Sequence, residues 1–287
     1  MLPLSELGRR PAHVTADEHY AVWFGALADR LMNACDLVIA GARYRLAELE
    51  MYYSGEAHPD PFAHRDPVQL EDGRWYFHRT RGEYRGGSFK GLDLALGNGT
   101  DFFGVLIRTV VALDGPILDG PCVTVDHVLA RTKATSVAVL DGIINGRKLW
   151  DTSAPLHVVD AEKPRTAPLY PNSRVGLSLK KAQGKTDVTR FVARPYRFLT
   201  EPRVISKGRP HLVLALHRTG RTPEDIATVT GVARKVIDKY VADFARGTPV
   251  EDFDAYIGTD LGTADLCQLL GTWHAKYGAG GTGSGKS

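Results

Sequence analysis

The sequence has few cysteines: Cys35, Cys122 and Cys267 are the only three among 287 residues, and they lie far apart. An odd number at such spacing excludes a disulfide framework and the short ligand spacings of a zinc site. We therefore expect a reducing, cytoplasmic environment, and neither a metal nor another cofactor.

Long apolar runs are missing as well. No stretch reaches the ~18 apolar residues that a membrane span requires, so we expect no membrane partner. The first residues, Met1 to Glu6, lack the basic region and apolar run of a signal peptide. A cytoplasmic, nucleoid-associated protein is the expectation that follows.

What is present is an ordinary globular composition, with 43% hydrophobic and 24% charged residues and a net charge of +3. Cationic residues cluster at 79–90 and again at 174–197, where there are seven of them. Such clusters fit a nucleic-acid partner, although a solvated basic face is the alternative for either one alone.

The periodicity of apolar residues predicts an α+β fold, a mixed antiparallel, barrel-like sheet with flanking helices, followed by a small all-α domain. The pattern predicts a helix over 16–34 and a short helix from Thr124 to Ala130. The predicted domains are 1–206, a helical 207–277 and a disordered tail at 278–287. The predicted strands are 37–40, 43–50, 74–79, 92–96, 102–113, 174–177 and 197–199.

The C-terminal region predicts a helix-turn-helix. Helices are expected at 211–217, from Thr222 onward, at 233–245 and at 263–277, with a tight turn at Gly231. If the helix after the turn contacts DNA, Arg234 and Lys235 at its start are the expected contacts. The alternative is a helical hairpin that caps the main core.

The last eight residues, 280–287, fit the phosphate-binding loop pattern G-x-x-x-x-G-K-S. That loop works only between a buried strand and a helix whose N-terminus faces the phosphates. Neither element flanks it in this sequence, so we expect no nucleotide hydrolysis.

Two carboxylates, Glu48 and Glu50, stand two residues apart at the end of a predicted strand. This spacing places both on one face of the strand, where one of them could be held in a pocket. A strand end with solvated acids is the alternative interpretation.

Read with its neighbours, this segment resembles the alkyladenine (methylpurine) DNA glycosylase family over about residues 25–206. No single motif is specific, but the ordered set is. The matching segments are Glu48-Leu49-Glu50-Met51-Tyr52, Ala63-His64, Gly73 to His78, Val105-Leu106-Ile107-Arg108, Gly120-Pro121, Arg174-Val175-Gly176 and Pro195-Tyr196-Arg197-Phe198.

The resemblance implies hydrolysis of the N-glycosidic bond of a base flipped out of double-stranded DNA. Glu50 matches the catalytic carboxylate that deprotonates a water. Arg108 matches the arginine that helps to hold that carboxylate and the water in place. Tyr52 and His64 match the aromatic pocket walls between which a flipped base would stack. The alternatives are that Tyr52 belongs to the core and that His64 is a surface residue of a loop. No lysine lies near Glu50 in the sequence to act as an amine nucleophile, so we expect a monofunctional enzyme. We also expect a monomer.

The sequence departs from the family around the base pocket. A wall tyrosine is replaced by His78, and the asparagine that crowds the base falls near Gly97, which predicts an enlarged pocket. Asp93 either reads a base edge or a sugar hydroxyl, or it pairs with an arginine, and the pairing is preferred. The predicted pocket residues are therefore Met51, Tyr52, His64, His78, Asp93 and Gly97.

An additional loop at 80–91 is predicted to contact DNA. Tyr84 or Phe89 could replace the flipped base as a wedge, while Arg81, Arg85 and Lys90 could bind flanking phosphates. The substrate is then either a damaged purine, in repair, or a bulkier hypermodified base of the phage type, in antiviral defence.

Two other functions fit the same sequence. One is a non-enzymatic DNA-binding sensor that reads DNA with its helix-turn-helix. The other is a protein that shares the fold but acts on RNA, as formyltransferase C-terminal domains of similar fold do.

Overall fold

The structure is a computed structural model that describes residues 3–113, 115–183 and 187–278. From residue 279 onward, the predicted tail and its phosphate-loop pattern lie outside the described residues. No helix within the described ranges is both long and apolar enough to cross a membrane.

The strands form antiparallel pairs throughout, and the strands predicted at 37–40, 43–50, 74–79, 92–96, 102–113 and 197–199 are confirmed. They are β1 (Cys35–Ile39), β2 (Ala42–Gly55), β3 (His58–Pro59), β4 (Asp72–Phe77), β5 (Arg79–Thr80), β6 (Glu83–Tyr84), β7 (Leu92–Leu96), β8 (Phe102–Ala112), β9 (Ile117–Asp119), β10 (Leu156–Asp160) and β11 (Arg197–Leu199).

The main sheet has the order β10-β1-β2-β8-β7-β4, with β11 and β3 also pairing with β2, and β9 with β8. The strands β5 and β6 form a separate hairpin. The long central strands β2 and β8 are buried along most of their length because both faces of the sheet are covered. They supply the backbone on which the candidate site is built.

The helices are α1 (Asp17–Ala34), α2 (Pro121–Thr132), α3 (Val137–Ile144), α4 (Val188–Phe191), α5 (Arg209–Arg218), α6 (Pro223–Thr230), α7 (Arg234–Gly247) and α8 (Thr263–Tyr277). Together with the antiparallel sheet they confirm the α+β fold. The helix predicted over 16–34 is confirmed as α1, which buries Tyr20, Phe24 and Leu31 while Val22 on its other side stays 72% exposed.

The segment between β9 and β10 holds more helix than the sequence predicted. The predicted short helix lies within α2, and α3 follows it as a second helix. Ser136 caps α3, its hydroxyl accepting from the backbone N–H of Val139. A capping serine before an apolar run is the signal that could have predicted this helix.

The strand predicted at 174–177 is wrong, because this stretch is irregular. Gly176 adopts a left-handed φ of +84°, which interrupts an extended strand. The Arg174 side chain is completely buried, and its guanidinium donates to the carbonyl of Phe191. The apparent strand pattern therefore belongs to an irregular segment, in which Arg174 is buried and Gly176 is exposed.

The predicted C-terminal helices are confirmed as α5 to α8. The Thr222 hydroxyl caps α6 by accepting from the backbone N–H of Asp225, and Gly231 ends it with a left-handed φ of +68°. Three residues, 231–233, separate α6 from α7, which is the helix-turn-helix connection expected from the sequence.

The chain divides into two compact units, Met1–Tyr170 with Tyr196–Glu201, and Pro171–Pro195 with Pro202–Ser287. Residues 171–195, which the sequence analysis assigned to the first domain, thus group with the C-terminal helices. Within that second unit, the Trp273 indole N–H donates to the carbonyl of Arg190, and the backbone N–H of Gly258 donates to that of Leu179. The predicted limits at 206 and 277 stay a prediction.

Candidate active site

An irregularity in the pairing of β2 with β8 shapes the site. Ile107 lies opposite Leu49 and Thr109 lies opposite Glu48, which leaves Arg108 without an opposing residue. A bulge of this kind re-aims the side chains around it. Two consecutive residues of β8, Arg108 and Thr109, therefore both reach the carboxylate of Glu48.

The carboxylate of Glu48 is completely buried and serves as an anchor. Its Oε1 accepts from the Nε of Arg108 at 2.8 Å and from the Nε of Arg197 at 2.6 Å, while its Oε2 accepts from the hydroxyl of Thr109 at 2.6 Å. Arg197 arrives on β11, far away in the sequence, and its role here was not predicted. A buried carboxylate held by three donors is suited to structure rather than to chemistry.

Glu50 is also completely buried, yet it has a different environment. Its Oε2 accepts from the hydroxyl of Tyr52 at 2.8 Å and from Nη1 of Arg108 at 3.3 Å. The predicted pairing of Glu50 with Arg108 is therefore present in the structure. Burial alone would lower the pKa of Arg108, but the carboxylates of Glu50 and Glu48 raise it above its usual value, so Arg108 remains a cation.

A row of side chains crosses the same face of the sheet in register. Directly opposed residues of an antiparallel pair share a face. Asp93 lies opposite Leu106, and Leu106 lies opposite Glu50. Two strand spacings, about 10 Å, thus separate the backbones at Asp93 and Glu50. The full row is Tyr76, Asp93, Leu106, Glu50 and Arg197.

Asp93 is 1% exposed and is held by two side-chain partners. Nε2 of His78 lies 2.7 Å from its Oδ1, and Nε2 of Gln69 donates to its Oδ2 at 3.0 Å. The preferred expectation that Asp93 pairs with an arginine is wrong. Gln69 was not predicted as a site residue.

Two glycines make room for this cluster. A Cβ at Gly104 would lie 2.2 Å from Nε2 of Gln69 and 2.7 Å from Oδ2 of Asp93. A Cβ at Gly91 would lie 2.4 Å from Nδ1 of His78. Since real Cβ contacts are never so short, a side chain at either position would displace the cluster.

The enlarged pocket predicted at Gly97 is wrong. A Cβ there would lie 2.2 Å from the carbonyl oxygen of Gln69 and 2.5 Å from the carbonyl carbon of Leu70. The space of the missing side chain is filled by backbone, so Gly97 permits a close approach of two chain segments. Met51 does not share a face with Glu50 and Tyr52 either, since successive residues of a strand alternate, and it is completely buried in the core.

His64 lies beside the cluster and is exposed. Its Nδ1 lies 3.3 Å from the hydroxyl of Tyr76, and its ring centroid is 4.3 Å from that of His78. Desolvation by the surrounding protein, followed by the nearby His78, lowers the pKa of His64 to about 4. His64 is therefore neutral at pH 7.

His64, His78 and Asp93 each offer one potential ligand atom, all within 4.8 Å of one another, so together they could hold a divalent metal ion. Two imidazoles and a carboxylate are a donor set that zinc accepts. The contact of Asp93 with His78 at 2.7 Å has the length of a hydrogen bond, with a proton between the two atoms.

The loop predicted to contact DNA carries the β5–β6 hairpin. Some of its side chains are bonded within the protein, and others are exposed. The Tyr84 hydroxyl donates to Asp141 at 2.5 Å, and Arg79 contacts both residues. Phe89, in contrast, is 74% exposed. Arg81, Arg85 and Phe89 line a groove of about 730 Å³.

The other predicted DNA-binding residues are partly neutralised. The Nζ of Lys90 forms an ion pair with Asp126. Arg234 contacts both Glu224 and Asp238, so its charge is offset within the helix-turn-helix. Lys235 is exposed.

The fold and the site define an α+β protein that buries a carboxylate–arginine cluster on one face of an antiparallel sheet. The chain is 33% identical over 205 residues to uncharacterized protein L759 of Acanthamoeba polyphaga mimivirus, covering 66% of this chain and 91% of the viral one. It belongs to the same family as that viral protein. No model of a known protein family matches the chain, and no solved structure does.

Proposed function

We propose that the protein is a monofunctional DNA glycosylase that hydrolyses the N-glycosidic bond of a flipped-out base and leaves an abasic site. The observation that carries the proposal is the pairing of the completely buried Glu50 carboxylate with Arg108 and Tyr52. Arg108 is itself fixed by Glu48, whose carboxylate also accepts from Arg197 and Thr109.

In the proposed reaction, water attacks C1′ of the sugar as the bond from C1′ to the base nitrogen breaks, and the base leaves with the electron pair of that bond. Glu50 accepts a proton from that water, and its negative charge stabilises the positive charge that develops on the sugar. Arg108 and Tyr52 fix the carboxylate in position, which is their contribution to the rate.

The base is proposed to lie along the row from Glu50 towards Asp93. His64, His78 and Tyr52 line the same region of the sheet, and stacking on such rings is how proteins hold a flipped base. The groove beside Phe89, with Arg81 and Arg85, is proposed to follow the DNA backbone.

The decisive experiment incubates the purified protein with alkylated DNA, hypoxanthine-containing DNA and phage DNA that carries modified cytosines. Released free base is measured by chromatography, and abasic sites are measured as alkali-sensitive breaks. General-base catalysis contributes ~10²–10⁴-fold, so Glu50→Gln is expected to lower the rate at least about 100-fold while DNA affinity persists.

Glu56→Gln is the matched control, because Glu56 is an exposed glutamate just beyond the same strand. We expect it to retain full activity. Release of base by the Glu50→Gln protein at the wild-type rate would exclude Glu50 as the base.

The second candidate function is a non-catalytic DNA-binding protein, and the α6–Gly231–α7 arrangement supports it. The two functions differ at Glu50. A protein that only binds DNA would release no base from any substrate and would bind DNA equally well with Glu50→Gln. Loss of binding with Lys235→Ala would then point to α7 as the contact.

A further inference from the structure

The second unit contains a cavity of about 210 Å³ that is lined by residues of that unit alone. Its apolar wall includes Leu214 on α5, Phe244 on α7, and Leu270 and Trp273 on α8, and all four side chains are buried. An apolar cavity of about 150 Å³ is large enough to hold benzene. This cavity therefore has room for one aromatic ring with a small substituent.

The two aromatic side chains of this wall are held in position by their neighbours. The Trp273 indole N–H donates to the carbonyl of Arg190 at 3.2 Å. The ring centroid of Phe244 lies 6.2 Å from that of His217 and 5.9 Å from that of His274. Rings that are already fixed lose little freedom when a flat ligand packs against them. The wall therefore suits an aromatic ligand.

The same cavity offers a small number of polar groups. The Ser173 hydroxyl lies 2.7 Å from Nδ1 of His211, and both residues line the cavity while being only 6% exposed. A hydroxyl has one donor and two acceptor positions, so Ser173 keeps the capacity for a further hydrogen bond. A mostly apolar cavity with a few placed polar groups is typical of a small-molecule site.

Arg218, at the end of α5, supplies the charge of the cavity. The residues that line the cavity include neither an aspartate nor a glutamate. Within the described ranges, no carboxylate lies within ion-pair distance of Arg218, which stays exposed while desolvation lowers its pKa. The fold thus removes water from this guanidinium without giving it an ion-pair partner. A ligand carboxylate would supply that partner, because its two oxygens match the donors of a guanidinium.

We infer that this cavity binds a small aromatic carboxylate, with the ring against Phe244 and Trp273 and the carboxylate at Arg218. The inference is independent of the proposed glycosylase activity, whose residues belong to the first unit. Through Phe244 the bound ligand contacts α7, the second helix of the helix-turn-helix. The second unit is then a ligand-binding unit as well as a candidate for DNA contact.

The test titrates the full chain with benzoate at pH 7 and measures the heat of binding. Three further probes each remove one feature of benzoate. Benzamide lacks the charge, acetate lacks the ring, and cyclohexanecarboxylate keeps the charge but replaces the aromatic ring. We expect benzoate to bind with a Kd of about 1 mM or lower. Benzamide and acetate should bind at least about tenfold more weakly, and cyclohexanecarboxylate about threefold more weakly.

Two variants locate the binding. Arg218→Gln is expected to weaken benzoate binding at least about tenfold and to leave the affinity for benzamide unchanged. Ala215→Leu adds bulk to the cavity wall on α5 without removing any core side chain, and it should abolish binding of both probes. Arg221→Gln is the matched control, because Arg221 is an exposed arginine just beyond the same helix that does not line the cavity. We expect it to bind benzoate like the wild type.

The inference is overturned if benzoate gives no binding heat up to about 10 mM. Equal affinities for benzoate and acetate would reduce the site to a simple anion contact, and equal affinities for benzoate and benzamide would exclude the role of the charge. Equal binding of cyclohexanecarboxylate would exclude an aromatic preference. Unchanged benzoate binding by either Arg218→Gln or Ala215→Leu would place the ligand elsewhere. None of these results bears on base release, which is measured separately.

Discussion

Glu48 and Glu50 are joined by one guanidinium: Arg108 donates from Nε to Oε1 of Glu48 at 2.8 Å and from Nη1 to Oε2 of Glu50 at 3.3 Å. The bulge on β8 makes this geometry possible, because it leaves Arg108 between two paired positions. The carboxylate of Glu48, which accepts from three side chains, therefore fixes Arg108 in position. From that position Arg108 also contacts Glu50, the carboxylate that is proposed to react.

Glu48→Gln is expected to destabilise the protein more than it affects the chemistry. The substitution removes the charge that Arg108 and Arg197 share, and breaking a buried pair in this way costs about 3–5 kcal/mol. At roughly 2–4 °C per kcal/mol, thermal unfolding should move down by about 6 °C or more. Calorimetry of this variant beside Glu56→Gln provides the measurement, and an unchanged melting temperature would contradict the anchoring role.

Tyr52→Phe tests the positioning of Glu50. The variant keeps the ring but removes the hydroxyl that donates to Glu50. A hydrogen bond to a charged group contributes about 1.5–3 kcal/mol, so we expect kcat for base release to fall at least about tenfold. The same loss should lower the melting temperature by roughly 3 °C or more, so activity is compared well below the unfolding transition. If kcat is unchanged in single-turnover assays, Tyr52 has no role in holding the carboxylate.

Gly97→Ala tests the close approach that replaces the predicted cavity. Because the new Cβ would lie 2.2 Å from the carbonyl oxygen of Gln69, backbone must move, and we expect a loss of stability of about 2 kcal/mol or more. Gly142→Ala is the matched control. Nothing lies within 4 Å of its Cβ position on α3, and alanine there should stabilise the helix by up to about 1 kcal/mol. Equal unfolding midpoints for the two variants in urea would refute the packing argument.

Much of the fold could be predicted because its elements carry local signals. Helix α1 follows from its apolar spacing, and α6 follows from the capping Thr222 and the glycine at its end. The β8 strand follows from its apolar and β-branched composition. The position of Glu50 beside Arg108 came from the resemblance to a known family.

The remaining features depend on contacts that no local pattern encodes. The bulge at Arg108 arises from the pairing of two strands, and Arg197 reaches Glu48 from 149 residues away. In the sequence, Gly97 is equally compatible with an open pocket and with a close approach of two chain segments. The two can be distinguished only from the position of the backbone at Gln69 and Leu70. Asp93 was assigned the wrong partner because His78 and Gln69 come together only when the sheet forms.

The low pKa of His64 predicts a pH dependence of stability. The folded protein holds this group with a pKa of about 4, below its ordinary value of 6.5, so the unfolded chain binds the proton more readily between these values. The contribution to stability is complete above pH 6.5 and is lost as the pH falls towards 4. In His64→Gln, the difference in melting temperature between pH 7 and pH 4.5 should be smaller than in the wild type. A larger difference would mean that His64 gains a partner when it is protonated.

Of the two proposed wedges, Phe89 is the more accessible, because Phe89 is 74% exposed whereas the Tyr84 hydroxyl is bonded to Asp141. An aromatic side chain that replaces a flipped base contributes stacking of about 1–3 kcal/mol. Phe89→Ala should therefore lower base release from duplex DNA about tenfold and leave the melting temperature unchanged. Val22→Ala, at another apolar side chain with 72% exposure, controls for the loss of surface apolar area. On single-stranded DNA, where no partner base leaves a gap, the two variants should release base equally fast. A defect of Phe89→Ala that is the same on both kinds of DNA would show that Phe89 contacts the strand rather than filling the gap.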